Sequence, residues 1–398
     1  MKNAATPILA ATLLTDEPCL LHNIPRIRDV ERMLEILRSM GAKAEWVGEH
    51  DVRVEAKGAD SASLDRKAMR SLRSSVLMMG PMLARFRAVE IPEPGGCNLG
   101  NRPLDTHLIA LERLGAVCAK EGESYHLKAT ELVGRTVVLP EFSVTATENL
   151  MMAAALAKGR TVIKIAAAEP HVEDLGRFLR KMGAKIDGLG THTVTIDGVT
   201  TLKGAEHEII PDQIEAGTFL AAAALMRGDL RVEGIRPDHL DIVFQKLESI
   251  GANVEVGEDW AEVSAPATLK AFKLQTMPYP GFPTDAMAPF GVLATQCSGT
   301  TLIHETMFDG RFGFIHELQK MGANAVISDP HRALITGPTP LYGREIKSLD
   351  LRAGMTLVLA GLLAEGETVI NDAEIIDRGY EHIEERLRAV GADILREE

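Results

Sequence analysis

Leu37-Arg38-Ser39-Met40-Gly41-Ala42 ends one run of the chain and opens the next. The same phrase (Leu, two variable residues, an apolar residue, then Gly-Ala) returns at Leu111–Ala116, Leu179–Ala184, Leu247–Ala252, Leu318–Ala323 and Leu387–Ala392. Its glycines stand at 41, 115, 183, 251, 322 and 391, in steps of 74, 68, 68, 71 and 69 residues. A period of this kind marks one supersecondary unit copied end to end. Six units in 398 residues divide into two groups of three, which suits the two or three domains that the length suggests.

Reading back from each Gly-Ala gives an amphipathic helix. In the first unit Val30, Met33, Leu34, Leu37 and Met40 recur at helical spacing between charged residues. Asp29, Asp174 and Asp241 stand where N-caps are expected, and the Gly reads as the residue that ends the helix in a left-handed conformation. Strand-like runs follow, as in Ala44–Val54 and Val254–Val263. A second kind of helix precedes: Met151–Lys158, Phe219–Met226, Asp285–Thr295 and Met355–Leu363 are apolar on nearly every side, so they belong inside. The unit thus reads as buried helix, strand, surface helix, strand, hairpin, strand. Such an α/β chain lacks the strict alternation of a doubly wound sheet.

Bulk properties narrow the function. Apolar residues are 45% and aromatics only 4%, so the core is built from Ala, Leu, Ile, Val and Met. A net charge of −13 argues against general nucleic-acid binding, and an anionic substrate would need a local cluster of Arg and Lys. The four cysteines, Cys19, Cys97, Cys118 and Cys297, lack metal or redox spacing, which points to a reduced cytoplasmic protein. The apolar run from Ala4 to Leu14 has no cleavage pattern after it, and no segment approaches a membrane span. Neither metal nor cofactor is expected, and oligomeric state is not legible.

Residues odd for their surroundings gather at two points of the repeat. One is the entrance to the buried helix: Lys2-Asn3, Arg73, Ser143-Val144-Thr145, Thr284-Asp285 and Asp350-Leu351-Arg352. A helix start offers free N–H groups and suits phosphate or carboxylate. The other is the loop before the surface helix: Cys97 with Arg102, Asp309 with Arg311, and Asp377 with Arg378. Each has an ordinary reading as well: a lone Arg as a solvated residue, Asp285 as a cap, Met307 and Phe308 as packing. Cys97 differs, because Pro94-Gly95-Gly96-Cys97-Asn98-Leu99-Gly100-Asn101-Arg102-Pro103 is too rich in Gly, Pro and Asn for helix or central strand. A thiol in such a loop, with a guanidinium five residues on, is a candidate nucleophile or proton donor.

At this loop the chain resembles the UDP-N-acetylglucosamine 1-carboxyvinyltransferases, enolpyruvyl transferases that open bacterial peptidoglycan synthesis. The motifs are Lys2-Asn3-Ala4-Ala5, the Pro-Gly-Gly-Cys loop with Arg102-Pro103-Leu104-Asp105, Ser143-Val144, Pro280-Gly281-Phe282-Pro283-Thr284-Asp285, Glu305-Thr306-Met307-Phe308, Asp350-Leu351-Arg352 and Asp377-Arg378-Gly379-Tyr380-Glu381. The resemblance implies the two-domain inside-out α/β barrel, three repeats per domain, with the crossing near Ile209-Ile210-Pro211 and hence domains 1–210 and 211–398. It implies that the enolpyruvyl group of phosphoenolpyruvate passes to the 3-hydroxyl of UDP-N-acetylglucosamine with release of phosphate. Lys2, Asn3, Arg102, Arg352 and Arg378 would hold phosphoenolpyruvate. Arg73, Arg102, Pro103, Leu104, Asp105, Thr106, Glu141, Phe142, Ser143, Val144, Asp285 and Met307 would hold the UDP-sugar. Cys97 would protonate the methylene carbon and be the target of the epoxide fosfomycin, with Asp285 as base and Arg378 among the catalytic groups. Neither nucleic acid nor membrane enters this chemistry.

Three positions depart from the pattern: Glu141 where several relatives carry Lys, Thr145 where Gly is common, and Gln213 after Asp212 where Arg is frequent. By the repeat ruler, roughly 20 to 25 residues precede Lys2 in a complete first unit. On that reading the second domain lacks an N-terminal strand, which would partner a strand at Ile394 and Leu395, and little would fix Lys2 at the extreme terminus. Two other functions stay open: a catalytically impaired paralogue that binds UDP-sugar, and 3-phosphoshikimate 1-carboxyvinyltransferase, whose relatives do not normally carry the cysteine loop.

Overall fold

A helix that is apolar all round has no face to give to water, and among the described residues six such helices set the architecture. The computed structural model describes residues 1–95 and 103–397. Contacts divide them into two units, residues 1–95 with 103–210, and residues 211–397.

The first unit has three inner helices: Lys2–Ala11, Met79–Phe86 and Val144–Ala155. Small residues let their backbones close up. A Cβ added at Gly80 would lie 2.3 Å from the carbonyl oxygen of Asn149, and the Asn149 side chain accepts from Gly80 N–H at 2.6 Å. The outer helices are Arg28–Ser39, Asp105–Arg113 and Pro170–Lys181. Each has a sheet beside it. In the first, Cys19–His22 pairs parallel with Glu206–Glu208 and antiparallel with Val52–Glu55, which pairs on to Lys43–Trp46. Val52 and Val54 face the core and Arg53 faces water, the period-2 alternation of a half-buried strand. Ala88–Pro92, Ser124–Lys128 and Val117–Glu121 form the second sheet. Thr136–Val138 joins Arg160–Lys164, Thr193–Asp197 and Lys185–Asp187 in the third.

The second unit repeats the plan. Its inner helices are Gln213–Met226, Met287–Thr295 (entered through the 3-10 turn Thr284–Ala286) and Leu351–Leu363. Its outer helices are Asp241–Ile250, Gly313–Lys320 and Ile383–Ala389. The central sheet carries Cys297–His304 against Arg332–Gly337, then Asn324–Asp329, with Lys273–Gln275 alongside in parallel. Trp260–Ser264 sits between Asp229–Glu233 and Asn253–Val256 in another, and Glu345–Lys347 pairs parallel with Val369–Asn371 in the last.

The repeated glycines do what their spacing suggested. All six have positive φ, from 93° to 106°, where a Cβ would be strained. The expected N-caps do not hold. Ile27, Glu169 and Leu240 occupy the cap positions, and the aspartates lie inside the helices. Asp29 and Asp174 are buried and spend their charge on tertiary partners. Asp29 pairs with Lys2 at 2.8 Å, and Asp174 takes His207 Nε2 at 3.0 Å and Ile210 N–H at 3.2 Å. Lys2 is therefore fixed rather than loose. Residues 392–397 carry no strand, and Leu395 is exposed.

Candidate active site

Glu305 organises the site in the second unit. It follows the strand Cys297–His304 and is fully buried, and both of its oxygens accept hydrogen bonds. They accept from Thr276 Oγ1 at 3.0 Å, Thr284 Oγ1 at 2.7 Å, Met307 N–H at 2.7 Å and Phe308 N–H at 3.2 Å. One carboxylate thereby fixes the turn bearing Met307 and the entrance to the inner helix bearing Asp285. The sequence offered Glu305 only as part of a motif; its organising role shows only in three dimensions.

Asp285 Oδ1 accepts from Arg311 Nη2 at 2.6 Å, and its other oxygen lies 3.6 Å from Arg352 Nη2. Both guanidiniums are buried, at 9% and 3% exposure. Burial opposes their charge, but nearby groups more than offset it: Asp285, Asp350 and Glu305 for Arg311; Tyr380, Asp285 and Asp212 for Arg352. Arg352 Nε and Nη1 and Arg311 Nε have no hydrogen-bond partner among the described residues. Buried donors without acceptors cost free energy, and donors of this kind suit an anionic acceptor. Arg311 is absent from the residues that the resemblance assigned, although its place in the repeat had drawn notice. Arg378 ends the 3-10 helix Ala373–Arg378, two residues before Tyr380, and is partly exposed.

In the first unit the turn at 141–145 meets the outer helix Asp105–Arg113. Thr106 Oγ1 donates to Glu141 Oε1 at 2.8 Å, and Thr145 Oγ1 lies 3.1 Å from His107 Nε2. His107 is buried, with its other ring nitrogen 3.1 Å from Asn149 Nδ2. Two of the three departures, Glu141 and Thr145, thus fasten to consecutive residues of one helix. Ser143 caps the inner helix by accepting from Ala146 N–H, Val144 begins that helix, and Phe142 stacks edge-to-face on His192 at 4.9 Å. Leu104 is buried, while Pro103 and Asp105 are exposed. Asn3 lies one residue along the first inner helix from Lys2, and Arg73 opens the 3-10 helix Arg73–Met78.

Cys97 and Arg102 lie outside the described residues. Among the described residues one grouping has ligand-like spacing for a metal, the surface set His382, Glu384 and Glu385, and Arg396 already pairs with Glu384 at 3.3 Å. No helix among the described residues is long and apolar enough to cross a membrane.

Comparison with known proteins agrees across the chain. The family described as EPSP synthase (3-phosphoshikimate 1-carboxyvinyltransferase) matches residues 1–387. A UDP-N-acetylglucosamine 1-carboxyvinyltransferase from Koribacter versatilis is 46% identical over 99% of this chain and 92% of that protein. Its counterpart from Bradyrhizobium diazoefficiens is 45% identical over 99% and 93%. Among solved structures, the enolpyruvyl transferase NikO from Streptomyces tendae superposes with a TM-score of 0.89 at 25% identity, over 99% of this chain and 93% of that one. EPSP synthase from Acinetobacter baumannii gives 0.72 at 20% identity over 98% and 94%, a likeness of fold.

Proposed function

We propose, from the premise that the chain belongs to the enolpyruvyl transferase family and groups there with the UDP-N-acetylglucosamine 1-carboxyvinyltransferases, that it makes enolpyruvyl-UDP-N-acetylglucosamine. The observation that carries the reading is the Asp285 carboxylate set between two buried guanidiniums at the entrance of an inner helix.

The chemistry needs one base and one acid. The 3-hydroxyl oxygen of the sugar bonds to C2 of phosphoenolpyruvate while its proton passes to Asp285, and C3 takes a proton from the Cys97 thiol. In the second stage C3 loses a proton, the bond from C2 to the phosphate oxygen breaks, and phosphate leaves. The guanidiniums of Arg311 and Arg352 orient the Asp285 carboxylate. Lys2, Asn3, Arg102, Arg352 and Arg378 are assigned to phosphoenolpyruvate, whose negative charge the lysine and the arginines stabilise. Arg73, Pro103 to Thr106, Glu141 to Val144 and Met307 are assigned to the nucleotide sugar. On this reading the protein acts in the cytoplasm at the first committed step of peptidoglycan synthesis, and so bears on cell shape and division.

The test is phosphate release with both substrates. Turnover is expected with UDP-N-acetylglucosamine and none with 3-phosphoshikimate. Cys97→Asp, which keeps an acid, should retain activity where Cys97→Ser loses most of it. Tight nucleotide-sugar binding without phosphate release would instead identify a silent paralogue.

A further inference from the structure

The backbone of Arg352 is held from both sides. Its N–H donates to the Asp350 cap at 2.8 Å, and its carbonyl accepts from Thr356 Oγ1 at 2.8 Å. The long side chain beyond is oriented by something else. Its guanidinium lies over the Tyr380 ring at 5.2 Å. Tyr380 is itself 1% exposed. Its hydroxyl lies 3.3 Å from Thr218 Oγ1, whose own proton goes to the Ile214 carbonyl at 2.8 Å. Thr218 Oγ1 is therefore the acceptor, Tyr380 O–H the donor, and the lone pairs of the phenol oxygen are left for the guanidinium. Gly379 lets this segment close on the arginine's helix: a Cβ there would lie 2.6 Å from Leu351 Cδ1.

The ring covers one face of the guanidinium, while Nε and Nη1 stay without a partner among the described residues. We propose that Tyr380, anchored by Thr218, is a positioning residue that holds the Arg352 donor edge open for the anionic substrate. Tyr380 touches no substrate; it acts through the arginine. A planar cation on an aromatic face keeps its edge free, which a carboxylate partner in the same place would consume.

The inference rests on assigning phosphoenolpyruvate to Arg352, so binding and turnover are read separately. Titration calorimetry with phosphoenolpyruvate alone, on the full chain, reports the anion site without chemistry. Tyr380→Leu should weaken that binding about tenfold, and Tyr380→Phe or Thr218→Val, which keep a ring over the guanidinium, only about threefold. Steady-state rates should show KM for phosphoenolpyruvate rising in the same order, with KM for UDP-N-acetylglucosamine within about twofold of wild type. If Tyr380→Leu fails to fold, the two milder variants carry the test. Wild-type affinity in every folded variant overturns the proposal, as does a wild-type chain that does not bind phosphoenolpyruvate. Parallel rises in both KM values would also overturn it, since they report a general structural role. A wild type that binds phosphoenolpyruvate but releases no phosphate with both substrates would sink the functional reading and leave Tyr380 still testable.

Discussion

Single side chains already make demands that can be measured. Burial pushes the Cys118 thiol up to about 12 and the Cys297 thiol up to about 11, and Cys19 moves the same way. Thiolate is the attacking form, so these three stay unreactive at pH 8. Fosfomycin should add once per folded chain, at Cys97, and faster with UDP-N-acetylglucosamine bound; intact mass with adducts on Cys19, Cys118 or Cys297 would refute this. Glu148 is a second case. It is 1% exposed, its Oε1 has no partner among the described residues, and burial with help from Glu169 raises its carboxyl well above the usual range. The folded chain then keeps a proton that the unfolded chain gives up. Stability is greatest below the ordinary carboxylate range and falls as pH rises toward the raised value. Urea midpoints at pH 5 and pH 8 should drop less in Glu148→Gln than in wild type. Parallel drops would show that Glu148 is not the titrating group.

At the scale of elements, the inner helices depend on residues too small to separate them. Gly80→Ala drives a methyl into the Asn149 backbone and disturbs the hydrogen bond from Gly80 N–H to that side chain. Overpacking of this kind costs about 1–3 kcal/mol, read as a lowered urea midpoint with unchanged slope. An unshifted midpoint would mean that the helices separate freely. These helices were legible because runs such as Phe219–Leu225 admit only burial. Their starts were less so: Val144–Ala155 begins seven residues before Met151, since Thr145 and Asn149 are satisfied by His107, a contact that no local pattern announces. Asp29 and Asp174 misled for the same reason. A carboxylate near a helix start looks like a cap until its distant partner, here Lys2 or His207, is known. Asp285 and Arg352 were found through motifs, whereas Glu305 as organiser and Tyr380 as support for Arg352 emerge only once strands and turns have met.

For the molecule entire, the net charge of −13 sets the background against which two anionic substrates must be captured. On the proposed reading, a local pair of buried guanidiniums such as Arg311 and Arg352 would provide what the total lacks. A ligand bound by the folded chain alone stabilises it by mass action, by about 2.7 kcal/mol at a hundredfold excess over Kd. UDP-N-acetylglucosamine should therefore raise the melting temperature in a concentration-dependent way, and Asp285→Asn should shrink the rise; a flat melting curve at saturation would remove the nucleotide sugar from the reading. The first unit also closes on itself. Glu206–Glu208 returns to pair with Cys19–His22, and the ammonium of Met1 donates to the carbonyl of Ile210 at 3.2 Å. Beginning and end thus stand close enough to be spliced by a very short bridge. This three-repeat ring has no privileged starting point, and its gene segment could be rotated to open at another hairpin without asking any inner helix to move.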